Sequence, residues 1–184
     1  MIFESYPWKQ DLLRRKRMFI KYNTVEQLEN RNAAAYTALE KAIFYSAFII
    51  RKLIDCKSKL SDDADNYAIA VKKHKPLREI NRNRKWPDIQ NHDFEHSESE
   101  TVKGRDICNW LIHSYVFFFG YNEEGTVEGF FVASDRERNN FLCYVEIKDW
   151  LAYIDFIAND SVVETCAVYS KEKKDYCYIT KRRG

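Results

Sequence analysis

Arg105-Asp-Ile-Cys-Asn109-Trp-Leu-Ile-His113-Ser-Tyr115-Val-Phe-Phe-Phe119-Gly120 sets an arginine, an amide and an imidazole four residues apart inside an otherwise apolar run. On an α-helix a step of four advances about 40° past a full turn. Arg105, Asn109 and His113 then share one ribbon, while Ile107, Trp110, Leu111 and Ile112 cover other faces. The spacing predicts a helix that follows Glu98–Lys103 and ends near Phe119, with Gly120 suited to a left-handed cap. A guanidinium and an imidazole are costly in a core unless they are partnered or line a cleft. Two readings stay open: a phosphate-handling cleft, or a structural ribbon in which His113 and Asn109 satisfy neighbouring helices.

Upstream the apolar spacing is helical. A first helix is predicted from about Pro7 to Tyr22, with Leu12, Leu13, Phe19 and Ile20 as its apolar contribution. Thr24 with Gln27 three residues on is a capping pair, and a long helix follows to about Lys59, broken near residues 30–32. From Ala42 to Ile50 only Ser46 and the Tyr45 hydroxyl are polar, which fits a central bundle helix. Arg51 and Asp55 form an i,i+4 pair. Ser61-Asp-Asp63 caps a third predicted helix, Ala64 to about Lys73. The segment His74–Ser99, with Trp86-Pro87, reads as a long connection.

Beyond Gly120 the period shifts toward 2. Thr126–Ala133 and Phe141–Ile147 are predicted strands around a polar hairpin loop, Ser134–Asn140. Lys148–Ala158 returns to helical spacing through Trp150, Leu151, Ile154 and Ile157, and Val162–Tyr169 with Tyr176–Thr180 form a second hairpin. The expected fold is α+β: a helical bundle of about four helices over 1–120, with the 74–99 loop, and a small antiparallel β-β-α-β-β region over 121–184 packed on it.

The 184 residues carry a formal net charge of +2 and are 45% hydrophobic, which excludes a disordered chain and leaves too little charge to identify a nucleic-acid binder by itself. Positive charge does concentrate at Arg14–Arg17, Arg78–Lys85 and 181–183, either as solvated faces or as a phosphate-attracting surface. No run approaches about 18 uninterrupted apolar residues and the first residues lack the order of a secretory signal, so a cytoplasmic protein without membrane contact is expected. The five cysteines lack a Cys-x-x-Cys pair and read as reduced core thiols.

Asn109-x-x-x-His113-x-Tyr115 resembles the signature helix of the HEPN superfamily, the helical nucleotide-binding and ribonuclease domains of prokaryotes and eukaryotes. The family motif is an arginine followed after four to six residues by a histidine, often with Asn next to the Arg and Tyr two beyond the His. Cys108 holds the arginine's place here, and Arg105, on the same ribbon, stands eight positions before His113. The resemblance covers at most residues 1–120. It implies a metal-independent endoribonuclease effector of toxin or antiviral-defence type, without a cofactor. In it His113 moves the proton, Arg105 neutralises the phosphorane-like transition state, Asn109 orients the phosphate, and Ser114 and Tyr115 contact substrate. It also implies RNA as substrate and a homodimer with the site at the two-fold. The alternative is a non-catalytic HEPN-like module that binds a protein partner through the C-terminal sheet, or a nucleic acid.

Other motifs carry less. His92-Asp-Phe-Glu-His96 departs from the zinc-protease order His-Glu-x-x-His and reads as a polar loop, so no metal site is expected. Ser134–Arg138 is a charged hairpin tip with local pairing. The five scattered glycines make no phosphate-binding loop.

Overall fold

The run Tyr115–Phe119 is a strand rather than the end of a helix. The computed structural model describes residues 2–29, 32–86, 88–172 and 174–182. Its elements run α1 (Ser5–Tyr22), α2 (Val25–Glu29), α3 (Ala33–Asp55), α4 (Asp62–Asp65), β1 (Ala68–Pro76), β2 (His92–Lys103), α5 (Gly104–Ile112), β3 (Ser114–Tyr121), β4 (Val127–Ser134), β5 (Leu142–Glu146), α6 (Ile147–Asn159), β6 (Val162–Ser170) and β7 (Asp175–Arg182). The class is mixed α+β, with a five-stranded antiparallel sheet ordered β2-β1-β5-β4-β3 and a separate two-stranded sheet, β6-β7.

Three expected boundaries move. The predicted fourth helix stops at Ile112 because five successive β-branched or aromatic residues, 115–119, find a partner strand in β4, Phe118 facing Phe131 and Phe119 facing Phe130. The predicted helix over 64–73 is one short turn, α4, followed by β1, where burial alternates with period 2: Ile69 and Val71 are buried while Ala68, Ala70 and Lys72 are exposed. The long connection shrinks to residues 77–91, since β2 begins at His92, which pairs with Pro76, and after a bulge Ser97–Ser99 pair with His74–Lys72 of β1. The boundary placed at residue 120 falls inside the β3–β4 hairpin, and the sheet joins strands from both sides of it. The order β4-β5-α6-β6-β7 follows the expected β-β-α-β-β. The break expected near 30–32 lies at residues outside the described ones, except that Asn32 caps α3 by accepting from the Ala34 and Ala35 amides.

Helices cover one face of the sheet. Phe44 of α3 meets Phe117, Phe19 of α1 meets Phe119, and Trp150 of α6 stands edge-on to Phe130. The Trp150 indole donates to the buried Ser46 hydroxyl, which itself donates to the Ile43 carbonyl, so the buried hydroxyl in the apolar stretch of α3 is satisfied. By length and composition α3 is apolar enough to cross a membrane, and half of that stretch is buried within the protein, as in a central core helix. Asp160 at the end of α6 fastens three elements. Its carboxylate accepts from the Ser61 amide and hydroxyl, both at 2.7 Å, and its carbonyl accepts from Lys9 Nζ at 2.6 Å.

The opposite sheet face holds a smaller cluster in which Ile80, Val116, Ala133 and Leu142 pack with Phe94, Phe118 and Phe131. Ile80 comes from the 77–91 connection, which thereby closes over one end of the sheet.

Candidate functional site at one end of the sheet

Arg105, Asn109 and His113 do project from one helix, but into different surroundings. Arg105 lies 3.5 Å from Asp65 of α4 and 4.0 Å from Asp55 of α3. Asn109 accepts from Arg51 Nε at 2.7 Å, and Arg51 also pairs with Asp55. Two guanidiniums and two carboxylates thus balance within one network that ties α5 to α3 and α4. Burial and the neighbouring Arg105 hold the Arg51 pKa below its usual value. The i,i+4 spacing signalled the Arg51–Asp55 pair, whereas Asp65 had no local signal, because only the chain's return through α4 brings it there.

His113 is the C-cap of α5 and is exposed. Its amide donates to the Asn109 carbonyl at 3.0 Å and its carbonyl accepts from the Asp135 amide at 3.1 Å, which bolts the helix end to the β4–β5 loop. Its imidazole has no hydrogen-bond partner among the described residues and opens on a recess of about 520 Å³ lined by Asn109, Trp110, Ser134, Asp135, Arg136 and Glu137. Arg105 is not among the lining residues; eight positions of helix separate it from His113 by about 12 Å. Ser114 and Tyr115 fall on β3. Ser114 pairs with Ser134, and the Arg138 guanidinium sits 4.2 Å from the Tyr115 ring centre. Arg138 also pairs with Asp135, and Arg136 lies 4.0 Å from Glu137, the local pairing expected of that tip.

The strands place further residues beside this recess. The β1–β2 connection, the α5–β3 junction and the β4–β5 loop all emerge at the same end of the sheet. Ile80 N donates to Asn139 Oδ1 at 2.8 Å, locking the first connection to the third. Asn91, buried, accepts from Arg78 Nε at 2.7 Å and donates to the Trp86 carbonyl at 3.1 Å, which shapes the loop. Arg78, Arg82, Arg84 and Lys85 form no ion pair among the described residues, and Trp86 is 70% exposed.

His92 and His96 do not act together. A register shift opposite His74–Pro76 puts a bulge between them; His92 is buried, and His96 is exposed and bonded to Asp93 at 3.1 Å. His92 instead neighbours His74, which sequence spacing did not bring to notice. Burial first and His74 second push the His92 pKa down to about 4. Among the described residues no three His, Cys, Asp or Glu side chains gather as a set of metal ligands. Buried Cys108 and Cys143 are pushed up, Cys143 to about 12, so neither is a nucleophile near neutral pH.

Compared with family models, curated proteins and solved structures, the chain matches none.

Proposed function

We propose that this protein is a non-catalytic nucleic-acid-binding module that takes single-stranded RNA at the loop end of its five-stranded sheet. The observation that carries the reading is the 77–91 connection: four cations within eight residues, none with an ion-pair partner among the described residues, beside an exposed indole. Cations follow a phosphate backbone and an exposed aromatic ring stacks on bases, the pairing of features that single strands require. The neighbouring recess, with Trp110 on its wall and Arg136 at its rim, extends the surface. RNA as ligand goes with a cytoplasmic location, as do five unpaired thiols.

The non-catalytic form is favoured because Arg105 is already neutralised. To stabilise a phosphorane it would have to leave Asp55, which would keep Arg51, and Asp65, which would lose its ion-pair partner among the described residues. In this reading the HEPN-like residues Asn109, His113 and Tyr115 support an association with RNA and the fastening of α5. A metal-independent endoribonuclease is the second reading, and exposure of His113 beside Asn109 in the recess favours it.

Fluorescence anisotropy with a labelled single-stranded RNA tests the proposal. Arg82→Ala/Arg84→Ala/Lys85→Ala and Trp86→Ala should each weaken binding by on the order of tenfold, with the circular dichroism spectrum kept. Unchanged affinity in both overturns it. The same RNA incubated in chelator separates the readings: cleavage that disappears in His113→Ala supports the nuclease.

A further inference from the structure

The β6–β7 hairpin is a sheet of two strands that pairs with no third strand among the described residues; on the β7 side the Thr180 amide donates to Asp62. It is tied to the body near one end, where Thr180 Oγ1 donates to the Leu60 carbonyl at 2.9 Å and Arg182 lies over Phe156. Most of the rest stands in solvent: Val163, Val168, Tyr169, Tyr176 and Ile179 are each 50–60% exposed. A lone two-stranded hairpin is marginal in water and gains stability from further strands with an apolar face or from packing against a helix; here the helix contacts, to Asp62 of α4 and Phe156 of α6, are made by Thr180 and Arg182 at one end.

Its register sorts the side chains. Ala167 opposite Tyr178 and Tyr169 opposite Tyr176 occupy one face; Cys166 opposite Ile179 and Val168 opposite Cys177 make an apolar patch on the other. Along the β6 edge, Thr165-Cys-Ala-Val-Tyr169 contains no charge and no proline, and the one pairing irregularity lies outside it, at Val162/Glu164. Natural edges that stay unpaired are guarded by such devices.

We infer that β6 pairs antiparallel with β6 of a second copy of this chain, about a two-fold axis, giving a four-stranded sheet β7-β6-β6-β7. Strand β6 is self-complementary in that arrangement. Centred on Ala167, the pairing sets Cys166 opposite Val168, Thr165 opposite Tyr169 and Glu164 opposite Ser170, so no like charges face each other. The Cys166, Val168, Cys177 and Ile179 patches of the two copies then merge into one apolar face across four strands. The inference is independent of RNA binding, which uses the far loops of the other sheet.

Sedimentation velocity on the full chain, with reductant to prevent disulfides, tests it. The expected result is a concentration-dependent dimer whose dissociation constant rises at least about tenfold in Val168→Lys, which brings two ammonium groups to diagonal positions across the axis. Val168→Thr keeps the dimer. Hydrogen exchange on the unsubstituted chain reads the same contact without a mutation: amides of residues 165–169 gain protection as concentration rises. A monomer throughout, a dimer indifferent to Val168→Lys, or protection that stays flat while dimer forms overturns the inference.

Discussion

At the scale of single residues, His92 is held neutral against its own solvation. It is 1% exposed, and neither ring nitrogen has a hydrogen-bond partner among the described residues. The charged or titratable group facing it is His74, whose Nδ1 is engaged 3.0 Å from the Asp93 carbonyl oxygen. The folded pKa of about 4 lies below the ordinary value of 6.5, so on acidification the unfolded chain takes up a proton before the folded one does. Stability is therefore full above about pH 6.5, falls as pH drops toward 4 and levels off below it, a loss of at most about 3 kcal/mol. Urea unfolding at pH 7.5 and pH 4.5 measures the loss, and His92→Leu should remove most of it; an undiminished loss in that variant would show that another group is responsible. Asp160 works in the opposite sense, as a partner whose removal strands others. Asp160→Ala leaves the buried Ser61 donors unpaired and takes a carboxylate from beside Lys9, whose ammonium burial already disfavours. Unfolding free energy should drop by about 3 kcal/mol at neutral pH, read by the same denaturation. Neither role was visible in sequence, because both depend on partners 18 to 151 positions away.

At the scale of elements, what the sequence disclosed tracks how far each signal is local. Helix α6 shows Trp150, Ile154 and Ile157 at helical spacing, and those side chains are buried. The two late hairpins announce themselves by polar loops between β-prone runs. Strand β3 does not, because Val116 through Phe119 is apolar at every position and both its faces are covered, so neither period stands out. Its strand state is conferred by β4, whose Gly129 faces Gly120 and leaves room for Tyr144 to lie across the pair. Two glycines test how firmly such packing is set. A methyl group on Gly104, at the start of α5, would sit 2.4 Å from the ring of Tyr153, which is fully buried and fixed between Trp150 and Tyr67. A methyl on Gly129 would meet the outer end of the Tyr144 ring at 2.3 Å, and that ring borders solvent and can swing aside. Gly104→Ala should therefore cost about 2–3 kcal/mol and Gly129→Ala under about 1 kcal/mol, an order that paired thermal unfolding curves would reveal or reverse.

At the scale of the whole molecule, the sheet gathers at one end what the chain scatters over sixty positions. Arg78 through Lys85, His113 and Arg136 come to the same end because β1, β2, β3, β4 and β5 alternate in direction, so alternate connections emerge together. A run of cations reads in sequence as a solvated face or as a phosphate surface, and in the fold these four have no ion-pair partner among the described residues, which fits both. The distinction is measurable through salt. A surface that touches single-stranded phosphates releases counterions, and the logarithm of affinity falls with the logarithm of salt by about 0.7 for each contact. With Arg78, Arg82, Arg84 and Lys85 engaged, a slope near −3 follows, and replacing Arg82, Arg84 and Lys85 by alanine should lower its magnitude by about 2. Trp86→Ala weakens binding through stacking and should leave the slope where it was. A triple variant that loses affinity at every salt concentration without a change of slope would mean that these cations shape the loop rather than meet phosphate, and the RNA surface would have to be sought elsewhere on the molecule.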